Sequence, residues 1–419
     1  MLKQSPLLLC CVLFFCVKTM GQEAASAFSL PITLSGDARA AHEWPADGDE
    51  KSLAAGFRAI LFPSLKINQH WFVYSVLDAH SSAYFPYATG ASDNDAVQFN
   101  LMQAYIGYTT TVSKASLLIK AGQLSSAFGL FPLEYDDAKM ALIDAPPVYT
   151  NYVPLRPDQL PCGVSDILRQ TYGSEIGFNC GGSLKERYGI TPVTLFGLPA
   201  VEAELSIARV DARLQITNSS PANRHGLLSD SQLAQWTAGA GYTLGGGLHV
   251  AASGFRGPYL DRDLSSLLSA GANIRSFSAS GLGVDAEWSR GLWSIEGEWQ
   301  HFRYELPGFA VSPTENAAYA QARWILSPRF FLGLRASAQR FGRIQDGYVK
   351  SADLFAGPRQ VYEATLGYRL SRHELLKLGS TWTNENFWSV NGRTWPQNQG
   401  YTFEAQLVTS LTAVSKAFR

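Results

Sequence analysis

The sequence predicts an all-β protein, a transmembrane antiparallel β-barrel of about 16 strands with short periplasmic turns and long extracellular loops. Three observations support this prediction: apolar and polar residues alternate along the chain, short connections alternate with long ones, and charge is sparse. Charged residues make up 16% of the 419 residues and aromatic residues 12%, whereas soluble domains carry about 25% charge. The formal net charge of −1 gives no reason to expect a nucleic-acid partner.

The first 21 residues have the pattern of a secretory signal peptide. Lys3 precedes an apolar run over residues 7–17, and small residues follow at residues 19–21 and 25–27. This pattern predicts cleavage near residue 21 or as late as residue 27. Loss of Lys3 and Lys18 would change the formal net charge from −1 to about −3. No later run of about 18 apolar residues predicts a transmembrane helix.

Two of the five cysteines, Cys162 and Cys180, lie outside this leader. An even number of cysteines in an exported chain indicates a disulfide, which would contribute roughly 3 kcal/mol for a loop of this size. A metal site is the alternative, but no histidine lies near these cysteines in the sequence. No metal and no other cofactor is therefore expected.

Residues 283–299, GVDAEWSRGLWSIEGEW, allow two interpretations. Paired carboxylates beside tryptophans could be the acid and the nucleophile of a glycosidase. Strict alternation instead indicates two β-strands with one apolar and one acidic face. If Arg290-Gly291 forms a two-residue turn, the facing pairs are Trp288 with Trp293 and Asp285 with Glu296. All apolar side chains then share one face, which favours the hairpin.

The same alternation recurs along the chain between connections of two lengths. Short turns are predicted at 66–69, 112–114, 198–200, 244–246, 289–292, 326–329 and 371–373, and long stretches at 42–52, 85–96, 127–190, 217–232, 257–276, 305–315, 342–357 and 386–399. The phase slips within 98–108 and near Ala208; at Ala208 either a bulge restores the phase or the strand boundary lies elsewhere than predicted. A soluble β-sandwich is the alternative, but its strands are usually shorter. The barrel is predicted over 28–413, with a C-terminal tail at 414–419.

Alternation also assigns side chains to the lumen or to lipid, because a charge facing lipid at mid-membrane costs about 2–4 kcal/mol. The predicted pore-lining residues are Arg58, Lys120, Arg209, Asp211, Arg213, Asp285, Glu287, Glu296, Glu298, Arg323, Arg335, Glu363, Arg369, Lys377 and Glu404. The predicted aromatic residues at the lipid interface are Trp288, Trp293, Trp324 and Tyr368. The acids at 285–298 have basic residues on the strands to each side, and this separation of charge would create a transverse electric field across the pore. Alternatively, these charges pair with one another across neighbouring strands.

The segment 127–190 follows the fifth predicted strand and is the third exterior loop. A connection this long must occupy a defined position in the barrel or above it. It either folds into the lumen and narrows it, or lies over the mouth, with Cys162 and Cys180 joining its far end.

This architecture resembles that of bacterial outer-membrane porins over most of residues 28–413. The string from Lys120 to Leu124, followed by Phe128-Gly129, is similar to a strand of the phosphate-selective O/P-type porins. The chain shows no ladder of lysines, so the resemblance does not imply anion specificity. It implies that the third loop forms a constriction, with the candidate charges Glu134, Asp136, Asp137, Lys139, Asp144 and Arg156. These loop charges could equally be solvated. The resemblance also implies outer-membrane lipid, the barrel-assembly machinery and a homotrimer as partners.

The expected function is passive diffusion of small hydrophilic solutes or ions across a Gram-negative outer membrane. The alternatives are a substrate-specific uptake porin for sugars or anions, and a barrel enzyme or adhesion protein with a plugged lumen. No enzyme is expected, because neither G-x-S-x-G nor H-E-x-x-H occurs and the seven histidines belong to no nucleophile motif.

Overall fold

The computed structural model describes residues 27–44, 53–81, 97–133, 135–171, 177–182, 189–218, 234–385 and 398–416. The predicted signal peptide lies outside the described residues. In the part of the chain that is described, no helix has the length and apolarity needed to cross a bilayer.

Sixteen antiparallel strands form one closed barrel, which confirms the predicted fold class. The strands are β1 (Ala27–Trp44), β2 (Leu53–Leu61, continued by Ser64–Lys66), β3 (Trp71–His80), β4 (Gln98–Val112), β5 (Ala115–Leu124), β6 (Leu198–Ile207), β7 (Val210–Thr217), β8 (Gln235–Thr243), β9 (Leu248–Pro258), β10 (Ser278–Arg290), β11 (Trp293–Tyr304), β12 (Thr314–Ile325), β13 (Phe330–Phe341), β14 (Arg359–Arg369), β15 (Glu374–Glu385) and β16 (Asn398–Lys416). Three short strands, Phe309–Val311, Arg343–Asp346 and Lys350–Leu354, form a separate sheet in the long loops.

The barrel closes between β1 and β16, whose register runs from Ala27 opposite Lys416 to Trp44 opposite Gln399. The last strand therefore extends three residues beyond the predicted end at 413. Strand β2 is interrupted at Phe62-Pro63 because proline has no N–H to donate. The register to β1 is the same on both sides of this interruption, so β2 is one span.

The hairpin at residues 283–299 is present, but its predicted register is wrong. Trp293 faces Arg290, and Asp285 faces Glu298 rather than Glu296. The turn consists of Gly291 and Leu292, and Gly291 has a φ of 62°. A positive φ at the first central residue is typical of a type II′ turn, which explains why glycine takes this position. The shift keeps every side chain on its predicted face.

The prediction for residues 191–209 is also wrong. The expected turn at 198–200 lies inside β6, and the expected bulge near Ala208 is the two-residue turn between β6 and β7. Ala208 has a φ of 55° in this turn. The apolar and polar residues change places at Ala208 because the chain reverses direction there.

The second phase slip, within residues 98–108, does arise from a bulge. Val76 of β3 pairs with Gln103, whereas the next residue, Leu77, pairs with Leu101. Met102 is thus the extra residue of β4, and its side chain is buried. A single inserted residue reverses the alternation of side chains beyond it.

The outer face of the barrel is apolar. Large side chains remain exposed on every part of the wall, including Val201, Leu214, Val284, Leu334, Leu366, Leu378 and Leu407. The main cluster of buried hydrophobic residues instead lies inside, where residues of 128–196 pack against inward side chains of the strands. This inside-out distribution is the one expected of a barrel whose exterior faces lipid.

Candidate functional site

Residues 125–197 connect β5 to β6, and we call them the lumen loop, because most of the described part packs inside the barrel. Its described residues bond to strands on all sides of the wall: Asp136 to Thr33 of β1, Gly129 to Ser253 of β9, and Asn151 to Gln339 of β13. A segment that touches opposite sides of a closed barrel must occupy its interior. The lumen is therefore the candidate site.

One side of the lumen, formed by β13 to β16 and β1 to β3, holds the lumen loop by buried ion pairs; we call it the docking wall. Arg58 donates to Asp78 on the neighbouring strand at 2.7 Å and to Asp137 of the loop at 3.1 Å. Ser35 of β1 donates to the second oxygen of Asp137 at 2.7 Å. The Arg58 and Asp137 side chains are each 1% exposed. Loss of one partner from such a pair leaves an uncompensated buried charge.

Arg39 makes a second group on the docking wall. Its guanidinium contacts Asp144 of the lumen loop at 2.8 Å, Asp37 at 2.6 Å and Glu404 at 3.3 Å. Two Arg39 nitrogens donate to the two oxygens of Asp144, the forked geometry that arginine gives to a carboxylate. Glu404 on β16 and Asp37 on β1 are therefore joined across the strand pair that closes the barrel.

Lys377 and Arg335 bind backbone carbonyls of the same loop. Lys377 is fully buried and donates to the carbonyls of Asp137 at 2.7 Å and Leu142 at 3.2 Å. Arg335 donates to the Asp144 carbonyl at 2.7 Å and pairs with Glu363. Three predicted lumen cations of this wall, Arg58, Arg335 and Lys377, thus bind the loop.

Two further contacts fix the loop from the other side. Arg213 donates to the Gly129 carbonyl at 2.7 Å. Tyr149 donates to Glu298 at 2.7 Å and accepts from Gln300. Burial raises the pKa of the Tyr149 hydroxyl and the Glu298 carboxylate raises it further, so Tyr149 remains a donor at neutral pH.

Toward the exterior the loop is packed and joined covalently. Cys162 and Cys180 form the predicted disulfide. Burial opposes ionisation of Asp166, but hydrogen bonds from the backbone N–H groups of Cys162 and Asn179 and from Arg169 hold the pKa of this carboxyl below its usual range.

Asp346, in another long loop, accepts a hydrogen bond from the Val164 N–H of the lumen loop at 3.1 Å. Hydrogen bonds from the N–H groups of Val349, Tyr348 and Val164 lower the pKa of Asp346.

The opposite side of the lumen, from β5 to β12, carries several charges that remain partly exposed beside the buried acids Glu202, Asp285 and Glu298; we call it the open wall. Lys120 binds Glu202 and Glu204, and His249 contacts Asp211 at 2.9 Å. The Glu204 and Asp211 side chains are 34% and 47% exposed, respectively. The other partly exposed side chains there are Arg213, Glu287, Glu296 and Arg323.

A cavity of about 140 Å³ separates the lumen loop from β11, β12 and β13. Loop residues Met140 and Leu142 line one side, and Glu296 and Arg323 line the other. Polar groups face this space on the open wall, so it suits water.

The remaining predicted site residues lie in different settings. Arg209 and Arg369 are exposed at the short-turn end of the barrel, and Asp285 is buried in the wall. Lys139 of the loop is 79% exposed in its side chain, whereas Arg156 is fully buried beside Asp158 at 3.4 Å. Glu134 lies outside the described residues. The roles of all these residues in a pore stay predictions.

The predicted interface aromatics lie near the short turns. Trp293 and Trp324 stack with ring centroids 5.0 Å apart, and Tyr368 stacks on Phe330 at 4.5 Å. Trp288 is only partly exposed. Their position next to the turns is the one that an aromatic girdle takes.

Sequence reasoning missed Arg39, which binds the loop, together with Asp37, Asp78, Glu202, Glu204 and His249. Residues 33–39 of β1 do alternate polar with other residues, so the first strand carried a signal that would have revealed Arg39. No alternation reveals the partner of a wall charge, because that depends on the path of the lumen loop.

The fold was compared with known proteins. The anion-selective porin from Comamonas acidovorans aligns with a TM-score of 0.56 at 9% identity, over 92% of this chain and 100% of that one. OmpT, an outer membrane protein of Vibrio cholerae, aligns with a TM-score of 0.53 at 9% identity, over 93% of this chain and 99% of that one. The outer membrane channel DcaP of Acinetobacter baumannii aligns with a TM-score of 0.52 at 14% identity, over 94% of this chain and 99% of that one. No protein-family model and no curated protein matches the sequence. The resemblance to bacterial outer-membrane porins is confirmed at the level of the fold.

Proposed function

We propose that the protein is a channel in a Gram-negative outer membrane through which small hydrophilic solutes or ions diffuse passively. The observation that supports this most directly is the division of the lumen. The docking wall holds the loop by most of the ion pairs, whereas several charged side chains of the open wall remain partly exposed, although Arg213 and Glu298 there also bond to the loop. A continuous row of hydrated polar groups is what a permeating solute needs in place of bulk water.

The charges of the open wall favour cations over anions. The partly exposed acids are Glu204, Asp211, Glu287 and Glu296, and the partly exposed bases are Lys120, Arg213 and Arg323. Acids therefore exceed bases by one. The anion selectivity of the Comamonas porin is not part of this proposal. Transport rather than catalysis, assembly into a trimer, and insertion by the barrel-assembly machinery are also proposed, on the strength of the shared fold.

A plugged barrel is the second candidate. The apolar packing of the lumen loop supports it, because Phe128, Leu155 and Ile167 are completely buried. Such packing excludes water over the part of the lumen that it occupies.

Excision of the lumen loop distinguishes the two candidates. Leu124 and Leu198 are paired across the β5–β6 hairpin, so residues 126–196 can be replaced by a short Asn-Gly turn without parting the strands. The matched control replaces residues 386–397, which join the paired residues Glu385 and Asn398, by the same Asn-Gly turn.

In planar bilayers we expect stepwise conductance from the wild type and steps several-fold larger from the excised variant. The control should resemble the wild type. A silent wild type with a conducting excised variant would establish the plugged barrel instead. Equal steps from all three proteins would show that the loop does not limit the pore.

A further inference from the structure

Three potential metal ligands come together on the open wall, on two neighbouring strands. His249 of β9 faces Glu287 of β10 directly, and Asp285 lies two residues away on the same strand face. One imidazole nitrogen and one oxygen from each carboxylate lie within 4.8 Å of one another. Ligand atoms around Zn²⁺ are about 3.5 Å apart, so small rotations of these side chains would complete a site.

The Asp285 carboxylate is an independent indication of a ligand. Asp285 is 4% exposed, and it forms no hydrogen bond or ion pair with any described residue. The charges of Arg213 and His249 attract this carboxylate from a distance, but a buried carboxylate that accepts no hydrogen bond is costly, and a bound cation relieves that cost. This side chain also belongs to the group of three whose ligand atoms converge.

The imidazole is held in place by a residue outside that group. Asp211 of β7 contacts His249 Nε2 at 2.9 Å across the intervening strand β8. Gly241 of β8 makes this contact possible, because a Cβ there would overlap Nε2 and lie 2.7 Å from the Asp211 oxygen. A carboxylate that accepts from one ring nitrogen leaves the other nitrogen unprotonated and oriented for a metal.

We propose that His249, Asp285 and Glu287 form a binding site in the lumen wall for a divalent first-row transition-metal ion, represented by Zn²⁺, with Asp211 as the positioning residue. One imidazole and two carboxylates suit Zn²⁺, whereas Ca²⁺ takes six to eight oxygen ligands. The carboxylates of Asp211, Asp285 and Glu287 together carry more negative charge than Arg213 carries positive charge, so the local charge favours binding of a dication.

The test is calorimetric titration of Zn²⁺ into the full-length barrel in detergent micelles. We expect one saturable site per chain. Loss of a ligand in His249→Gln, Asp285→Asn or Glu287→Gln should weaken binding at least about 100-fold, and loss of the positioning carboxylate in Asp211→Ala about 10- to 100-fold. His373→Gln, which removes an exposed histidine from a short turn, should bind as the wild type does.

A variant that changes no ligand separates this site from adventitious binding. Gly241→Ala should displace the imidazole and weaken Zn²⁺ binding about 10-fold. Gly36→Ala is its control, because a Cβ at position 36 meets nothing within 4 Å. Circular dichroism and heat-shifted gel mobility check that each barrel is folded.

Absence of saturable Zn²⁺ binding to the wild type would overturn the proposal. It would also be overturned if His249→Gln and Asp285→Asn bound Zn²⁺ like the wild type, or if the wild type bound Ca²⁺ as tightly as Zn²⁺. None of these outcomes depends on conductance, so the test of the metal site is independent of the test of the proposed channel.

Discussion

The docking wall and the open wall use similar charged side chains in different surroundings. On the docking wall, Arg335 and Glu363 are 1% and 5% exposed in their side chains, and their partners are one another and the lumen loop. On the open wall, Asp211 keeps 47% of its exposure. The difference shows that charge in a barrel lumen has two separate uses, to hold an internal segment and to face water. Burial by the loop, not the position along a strand, decides which use a residue has.

The largest effect is expected from breaking the docking wall at Asp137. Asp137→Ala leaves Arg58 and Ser35 without this partner and should weaken loop docking by about 3 kcal/mol or more. We expect noisy, enlarged conductance steps and faster cleavage of the loop by added protease. Lys139→Ala, a change of an exposed charge on the same loop, is the control. If both variants behave alike, the ion pairs of this wall do not hold the loop.

A smaller effect is expected from opening the disulfide with Cys162→Ser and Cys180→Ser together. The chain-entropy model assigns roughly 3 kcal/mol to a loop of this size, but the disulfide constrains only the exterior part of the lumen loop. We expect faster proteolysis at residues 160–182 and little change in conductance. An effect on conductance as large as that of Asp137→Ala would mean that the exterior part positions the constriction.

The two acids of β11 sharpen the comparison further, because they lie on one strand in different surroundings. Glu296 lines the cavity, whereas Glu298 is 4% exposed and accepts from Tyr149. Glu296→Gln should lower the preference for cations, measured as a shift of the reversal potential in a salt gradient. Glu298→Gln should leave that potential unchanged. A larger shift from Glu298→Gln would place the ion path behind Tyr149.

The smallest effect concerns pH. The folded-state pKa of Asp346 lies below its usual value because three backbone N–H groups stabilise the carboxylate. Its contribution to stability is therefore present above the unfolded-state pKa, about 3.9, and is lost as pH falls through the folded-state value. Asp346→Asn should reduce the increase in channel noise between pH 6 and pH 3. Identical noise profiles for wild type and variant would exclude Asp346 as a contributor.

The sequence predicted the barrel well because alternation and connection length depend only on local residues. Asp285 and Glu298 were correctly assigned to the inner face although the predicted pairing of their strands was wrong. The error in register was two residues, and side chains alternate with a period of two, so each residue kept its face. The break at Ala208 was misread because a tight turn without glycine or proline looks like a bulge. Met102 produced a similar slip and was a true bulge.

The site was harder to predict, because its contacts join residues far apart in the chain. Arg58 and Asp137 are 79 residues apart, and Lys377 and Asp137 are 240 apart. No periodicity records which wall residue an internal loop reaches. Alternation therefore identified lumen charges such as Arg335 and Lys377, but it could not separate the cations that bind the loop from the side chains that remain hydrated.

The contacts of the lumen loop also bear on how the barrel is assembled. The last strand must find the first across almost the whole chain, a contact of very high sequence separation. Asp136 and Asp137 bind β1, Lys377 of β15 binds the same stretch, and Asp144 joins through Arg39 to Glu404 of β16. A docked loop therefore bridges the seam from within and raises the effective concentration of its two edges. We therefore expect the lumen loop to act, during folding, as an internal template for closure of the barrel.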